Sequence, residues 1–177
     1  MDVEGESAEG EESDELISRV PEQDDIVQLC KRLNESGAKY VVVGGFAIIA
    51  AGLARGTEDV DLLIETTLEN ERKVLDVLAE LPDGWAREIE PGEVGKVNVV
   101  RIADEILVDL MAKACGIDYA EAAQDVVVHT VDGVEIPFAS PRLLWRMKKP
   151  THRAKDQGDL AFLAQLFAER GEQPPKF

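Results

Sequence analysis

The segment VVVGGFAIIAAGLARGTEDVDLLIE, residues 41–65, constrains this chain more than any other. Tyr40 to Val43 reads as a short apolar strand that runs into Gly44-Gly45. The Ala-rich stretch FAIIAAGLA then reads as a compact helix ending near Arg55-Gly56, and Val60 to Ile64 is a second β-rich run. Paired glycines between a strand and a helix let the backbone turn tightly and expose its amides. The helix N-terminus adds a partial positive charge suited to a phosphate. A plain strand-to-helix turn that needs a small residue also explains the pair, which alone is weak evidence for a phosphate, and both readings stand at this point. The turn is neither a Walker loop, since no Gly-Lys-Ser/Thr follows, nor a dinucleotide fingerprint, since GxGxxG is absent.

Asp59 and Asp61 flank Val60 at the start of the second strand. A spacing of two puts both carboxylates on one side of a sheet, where they repel. Such a pair is tolerable around a cation, and hard oxygen ligands suit Mg²⁺, which takes one or two carboxylates together with substrate phosphates. It also fits a solvent-exposed strand end. Asp109, in EILVDLMAK, is a lone acid in an apolar strand. Alternation places it on the face of Leu107 and Met111, and a buried unpaired carboxylate is expensive. Asp109 is therefore either a third ligand of the same site or a strand-end acid near solvent.

The remaining segments alternate in the same way. Asp24 or Asp25 can cap a helix carrying Ile26, Leu29, Cys30 and Leu33, with Gly37 placed to stop it, and Thr67 caps a helix running to about Leu81. Lys96 to Ile102 and Ile106 to Met111 are strand-like around a turn at Ala103-Asp104-Glu105. Val126 to Val131 and Val134 to Phe138 flank Asp132-Gly133, a strong hairpin signal. Ser140-Pro141 opens a helix that Pro150 interrupts, and a last helix covers about Ala154 to Ala168. The fold class expected is α/β (α+β), a mixed sheet with helices mainly on one face and a C-terminal helical pair.

Charge divides the chain. It holds 36 Asp or Glu against 19 Lys or Arg, a net charge of −17 in 177 residues. Residues 1–23 carry acids against Arg19 alone, and few large apolar groups offset the entropy of ordering them, so they are expected to be a flexible acidic tail ahead of one domain at 24–177. From Arg142 to Lys155 the sequence RLLWRMKKPTHRAK inverts the sign, with six bases and no acid. Such a run fits either a phosphate-bearing ligand or a solvated helix face. Cys30 and Cys115 stand far apart, without metal-ligand spacing, and are expected to be small buried groups. Trp85 and Trp145 are expected in the core or a groove wall, and His152 as surface decoration. The acidic start lacks a secretory plan and no apolar run is long enough for a membrane span, so a cytoplasmic location without membrane contact is expected.

Together the Gly-Gly turn, the Asp-x-Asp and the later Asp resemble the signature of the DNA polymerase β-like nucleotidyltransferase superfamily, in its minimal members. ARGTEDVDLLIE is similar to the common form R-x-T-x-D-h-D, and ASPRLLWRMKKPTHRAKDQGDLAFL is similar to the tail motif of the toxin-type, AbiEii/MenT-like branch. The resemblance spans about residues 38 to 168. One departure is Phe46-Ala47 after Gly45, where many members place Ser.

The resemblance implies transfer of a nucleoside monophosphate from an NTP, with Mg²⁺ or Mn²⁺, to a hydroxyl on RNA (a transfer RNA end) or on protein, within a toxin–antitoxin system in which a cognate toxin or antitoxin is a further partner. By the same resemblance, Gly44 and Gly45 cradle the triphosphate, and Asp59 and Asp61 hold two Mg²⁺ ions that bridge its phosphates. Asp109 completes one of the two metal sites and helps deprotonate the acceptor hydroxyl. Lys148 and Lys155 contact the triphosphate, and Asp156 matches the acid of the tail motif. Arg55 is either a phosphate contact or an anchor for its loop, and Asp159 is expected to cap or pair within the last helix. The alternative function is a non-catalytic nucleotide- or partner-binding module of the same fold, antitoxin-like or regulatory. A coincidental match in an acidic interaction protein is a third reading.

Overall fold

A computed structural model of the chain describes residues 17–177. Of the expected acidic tail, residues 1–16 lie outside the described residues. Residues 17–22 lead into the first helix along the edge of the sheet. The Ser18 hydroxyl donates to the Asp104 carbonyl at 2.6 Å, the Arg19 N–H donates to the Glu105 carbonyl at 2.8 Å, and Pro21 is buried.

Helix α1 (Gln23–Glu35) is capped by Glu22, not by Asp24 or Asp25. Asp25 lies in the first turn and accepts the Glu22 N–H at 2.7 Å, while Arg19 grips the same carboxylate at 2.6 Å. Strand β1 (Tyr40–Val43) is buried throughout and passes directly into α2 (Gly44–Ala51). That helix stops at Gly52, earlier than the apolar run suggested, because Gly52 adopts a φ of 122°. Then follow β2 (Asp59–Ile64) and α3 (Leu68–Leu78), the latter capped by the Thr67 side chain.

A 3₁₀ turn at Trp85–Glu88 and a short helix α4 (Glu93–Val97) precede β3 (Val99–Ala103). The expected strand at Lys96 thus begins three residues late. Glu71, fully buried on α3, accepts the N–H groups of Gly92, Val94 and Gly95 and holds that stretch as a helical turn. After β4 (Leu107–Met111) come the short strands β5 (Lys113–Ala114) and β6 (Ile117–Asp118) and helix α5 (Tyr119–Ala122), which carried no periodic signal. The hairpin β7 (Val126–Val131) and β8 (Val134–Ala139) turns at Asp132-Gly133, both with positive φ. Helix α6 (Pro141–Lys148) is capped by Ser140, 3₁₀ turns follow at Lys149–Thr151 and Ala154–Asp156, and α7 (Gln157–Glu169) closes the fold.

The architecture is α+β. Six strands form one mixed sheet in the order β3-β4-β2-β1-β8-β7, and β5-β6 form a separate pair. Strands β2 and β4 run parallel, while β1–β2, β3–β4 and β7–β8 are antiparallel. The register fixes the faces. Val60, Leu62, Val108 and Leu110 share one face and are fully buried in a continuous apolar core. Asp59, Asp61 and Asp109 take the other face by strict alternation. Trp145 is buried against Phe167 at a ring separation of 5.9 Å, whereas Trp85 is half-exposed and not a core residue. Cys30 is buried, but Cys115 is exposed at a positive φ, with its thiol donating to the Met147 carbonyl. No helix among the described residues is long and apolar enough to cross a membrane.

Candidate metal centre

The three aspartates meet because of register. In the parallel β2–β4 pairing Asp61 lies directly opposite Asp109, and Asp59 follows two residues away on the same face. One carboxylate oxygen from each of Asp59, Asp61 and Asp109 lies within 4.8 Å of the others. Val43 is opposite Asp61 on the other side, so β1 delivers the chain to Gly44 beside this cluster.

Gly44 has a φ of 65°, and a Cβ there would overlap the Asp61 carboxylate, lying 2.9 Å from its Cγ. Gly45 faces the following loop: a Cβ would lie 2.7 Å from that of Thr57 and 3.2 Å from Arg55 Nη1. Gly44 is therefore required both by the turn and by its approach to Asp61, and Gly45 by its packing against Thr57.

The electrostatics are unbalanced. Burial and the neighbouring charges of Asp59 and Asp109 push the Asp61 carboxyl up to about 7, with Lys148 and Lys155 opposing. Burial, then the charge of Asp109, also raises Asp59. Asp109 is buried and clamped by Arg101, which stands opposite it on β3. Nε donates to one carboxylate oxygen and Nη2 to the other, each at 2.8 Å. The same Nη2 reaches Asp59 at 3.2 Å.

The tail segment forms a second ionic cluster. Lys148 Nζ is buried between Asp156 at 3.3 Å and Asp159 at 3.0 Å. Asp159 binds Arg55 through both oxygens, at 2.8 and 2.9 Å. Arg55 is thus an anchor for the loop that carries the Asp pair, and Asp159 reaches out of its helix instead of capping it. Asp156 also accepts Thr151 at 2.7 Å and Arg153 at 2.8 Å. Burial opposes its ionisation, but Thr151, Arg153 and Lys148 outweigh this and hold it below the usual carboxylate range. Elsewhere in the basic run, Arg146 pairs with Glu121, Arg142 donates to the Gln173 carbonyl, and Lys149 lies over the Trp145 ring. Lys155 is exposed, and its charge acts on Asp59 and Asp61.

Of the residues singled out from sequence, the fold brings Gly44, Asp59, Asp61 and Asp109 to one place, with Lys148 and Lys155 close enough for their charges to act on Asp61. Asp156 and Arg55 belong to the adjoining ionic network. Thr57, Arg101 and Asp159 were missed as site residues. For Arg101 a signal existed: it and Asp109 are placed symmetrically about Glu105 in the expected turn, so a tight hairpin sets them opposite each other.

No family model and no curated protein matches the chain. Among solved structures it is similar to a candidate nucleotidyltransferase from Thermotoga maritima, at 15% identity and a TM-score of 0.48, over 82% of this chain and 91% of that one. It is also similar to an antigenic nucleotidyltransferase-like protein from Paracoccidioides brasiliensis, at 19% identity and a TM-score of 0.49, over 84% of this chain and 79% of that one.

Proposed function

We propose that the chain is a divalent-cation-dependent nucleotidyltransferase that moves a nucleoside monophosphate from an NTP to a hydroxyl on RNA or protein. The observation that carries this reading is the convergence of Asp59, Asp61 and Asp109. Three acids on one patch of sheet, with Asp61 pushed up to about 7 by burial and by the other two, form a donor set that a cation would stabilise. The all-carboxylate set fits Mg²⁺ or Mn²⁺ and does not fit a thiolate or imidazole metal.

When bound, the cation supplies charge neutralisation at the phosphates and at the leaving oxygen. The chain's own residues do the rest. Asp59 and Asp61 hold the ion, and Asp109 completes the set and takes the proton of the attacking hydroxyl. That oxygen forms the new bond to the α-phosphorus as the bond to the β-phosphate oxygen breaks, releasing pyrophosphate. Gly44 keeps the approach to Asp61 clear of a side chain, and Gly45 lets the loop of Thr57 pack close, which supports a triphosphate lying along the turn. Lys155, exposed beside the acids, binds the triphosphate. Lys148, buried between Asp156 and Asp159, lends its charge to the site without leaving them, while Arg55 fixes the loop.

An acceptor on RNA or protein, and a role as the toxin-type half of a toxin–antitoxin pair, extend this reading. They rest on the likeness of the tail segment's sequence to the toxin-type branch, whose matching residues Lys148, Asp156 and Asp159 form one ionic cluster here. The test is incubation with each α-labelled NTP and Mg²⁺ or Mn²⁺, together with total RNA and cell protein. Label moving to either acceptor, and lost in Asp61→Ala with the fold intact, is the expected result. Binding of NTP without transfer would favour a non-catalytic module.

A further inference from the structure

Arg101 has no place in the donor set, yet it is the group in closest contact with it. Its guanidinium engages both oxygens of Asp109 and, through Nη2, one oxygen of Asp59, so a single nitrogen bridges two of the three acids. The point between two like-charged carboxylates is where a bridging cation gains most. The two other nearby bases stand differently. Lys148 is 8% exposed and committed to Asp156 and Asp159, and Lys155 acts at longer range.

Exposure is unequal as well. The Arg101 side chain is 56% exposed on the edge strand β3, whereas that of Asp109 is 9% exposed and held within the sheet. The base can swing toward solvent while the acid stays where it is. Bidentate guanidinium–carboxylate pairs are among the stronger charge-assisted contacts, but at an exposed position solvent limits what they contribute. Such a contact is strong enough to organise the acids and weak enough to yield to a divalent ion.

We propose that Arg101 is the resident counter-cation of this centre: it holds Asp59 and Asp109 in place while no divalent ion is bound, and it competes with that ion for them. The proposal rests on the reading of Asp59, Asp61 and Asp109 as a cation site. It makes Arg101 a positioning residue whose release is coupled to loading of the site. A group that served only to orient Asp109 would have the opposite signature, because its removal would weaken the ion's hold.

The test uses the full chain and Mn²⁺ alone, titrated at low ionic strength with free Mn²⁺ followed by electron paramagnetic resonance. Arg101→Gln is expected to bind Mn²⁺ on the order of fivefold more tightly than the unaltered chain. Arg101→Lys, which keeps the charge but cannot bridge two acids with a planar fork, is expected to fall between them. Circular dichroism checks that each variant is folded, and if Arg101→Gln does not fold, Arg101→Lys carries the test. Unchanged or weaker Mn²⁺ binding in the folded variants overturns the role given to Arg101. Asp61→Asn separates the two readings. If it abolishes Mn²⁺ binding while the Arg101 variants show no gain, only the Arg101 proposal falls. If it binds Mn²⁺ as the unaltered chain does, or if no variant binds at all, the cation site falls and the proposal with it.

Discussion

Two clusters of aspartates lie side by side in this molecule, and they behave oppositely. Asp156 and Asp159 are buried at the start of the last helix, yet Lys148, Arg55, Arg153 and Thr151 surround them, and Asp156 ionises more readily than an ordinary carboxylate. Asp59 and Asp61, on the sheet, are pushed the other way, and Asp61 reaches about 7. Burial acts in the same sense on Asp61 and on Asp156, so partners decide the outcome. The tail cluster is closed within the chain, whereas among the described residues the sheet cluster has Arg101 alone as an ionic partner, and on the reading proposed above a cation completes it. This contrast separates a structural ionic network from a site.

The largest effect is expected where the closed cluster is opened. Asp159→Ala takes two partners from one buried acid, leaving Lys148 with Asp156 alone and freeing Arg55. Urea unfolding is expected to show a loss of about 3 kcal/mol, and a change below the error of the measurement would remove the contrast.

The next effect concerns pH. In the absence of divalent ions, folded Asp61 keeps its proton up to about 7 while the unfolded chain releases it near pH ~4. The folded state binds the extra proton in that window, so Asp61 makes stability fall as pH rises from about 4 to 7 and level off above. Asp156 contributes in the reverse sense, its stabilisation being lost in acid as pH drops through its lowered value. Urea unfolding in chelator across this range should show a loss on the order of 2 kcal/mol that disappears in Asp61→Asn. A slope that persists in Asp61→Asn would place the titrating group elsewhere.

A smaller effect is expected at the turn. Gly44→Ala forces a side chain into left-handed backbone and against the Asp61 carboxylate, with a cost of roughly 1 to 2 kcal/mol. It should also weaken Mn²⁺ binding if the displaced carboxylate is a ligand, as proposed. Stability loss without any change in Mn²⁺ binding would separate the turn from the site. The smallest effect serves as a control: Arg146→Ala, in the same basic run but paired with Glu121 at the surface, is expected to change stability by less than about 0.5 kcal/mol and to leave Mn²⁺ binding unchanged.

Much of the sheet cluster was legible in the sequence because local patterns set it. Alternation placed Asp59 and Asp61 on one face, the lone acid in EILVDLMAK marked Asp109, and Asp132-Gly133 fixed a hairpin register. What escaped was whatever depends on distant partners. The helical turn at Glu93–Val97 forms because Glu71 caps it from another helix. Half of the basic run is already paired with acids of the same chain, Arg146 with Glu121, Lys148 with Asp156 and Asp159, and Arg153 with Asp156, which no local pattern foretold. Asp159 shows no sequence periodicity that points to Arg55, more than a hundred positions away. Arg101 lay between these cases, readable only once the hairpin around Glu105 was taken to be tight.

The most direct test of a cation held by these acids is anomalous diffraction at the manganese edge from crystals of the full chain soaked in Mn²⁺. A peak within coordination distance of carboxylate oxygens of both Asp59 and Asp61, absent in Asp61→Asn crystals, is the predicted result. A map in which manganese sits elsewhere on the molecule, with the three carboxylates bare at saturating Mn²⁺, would contradict it.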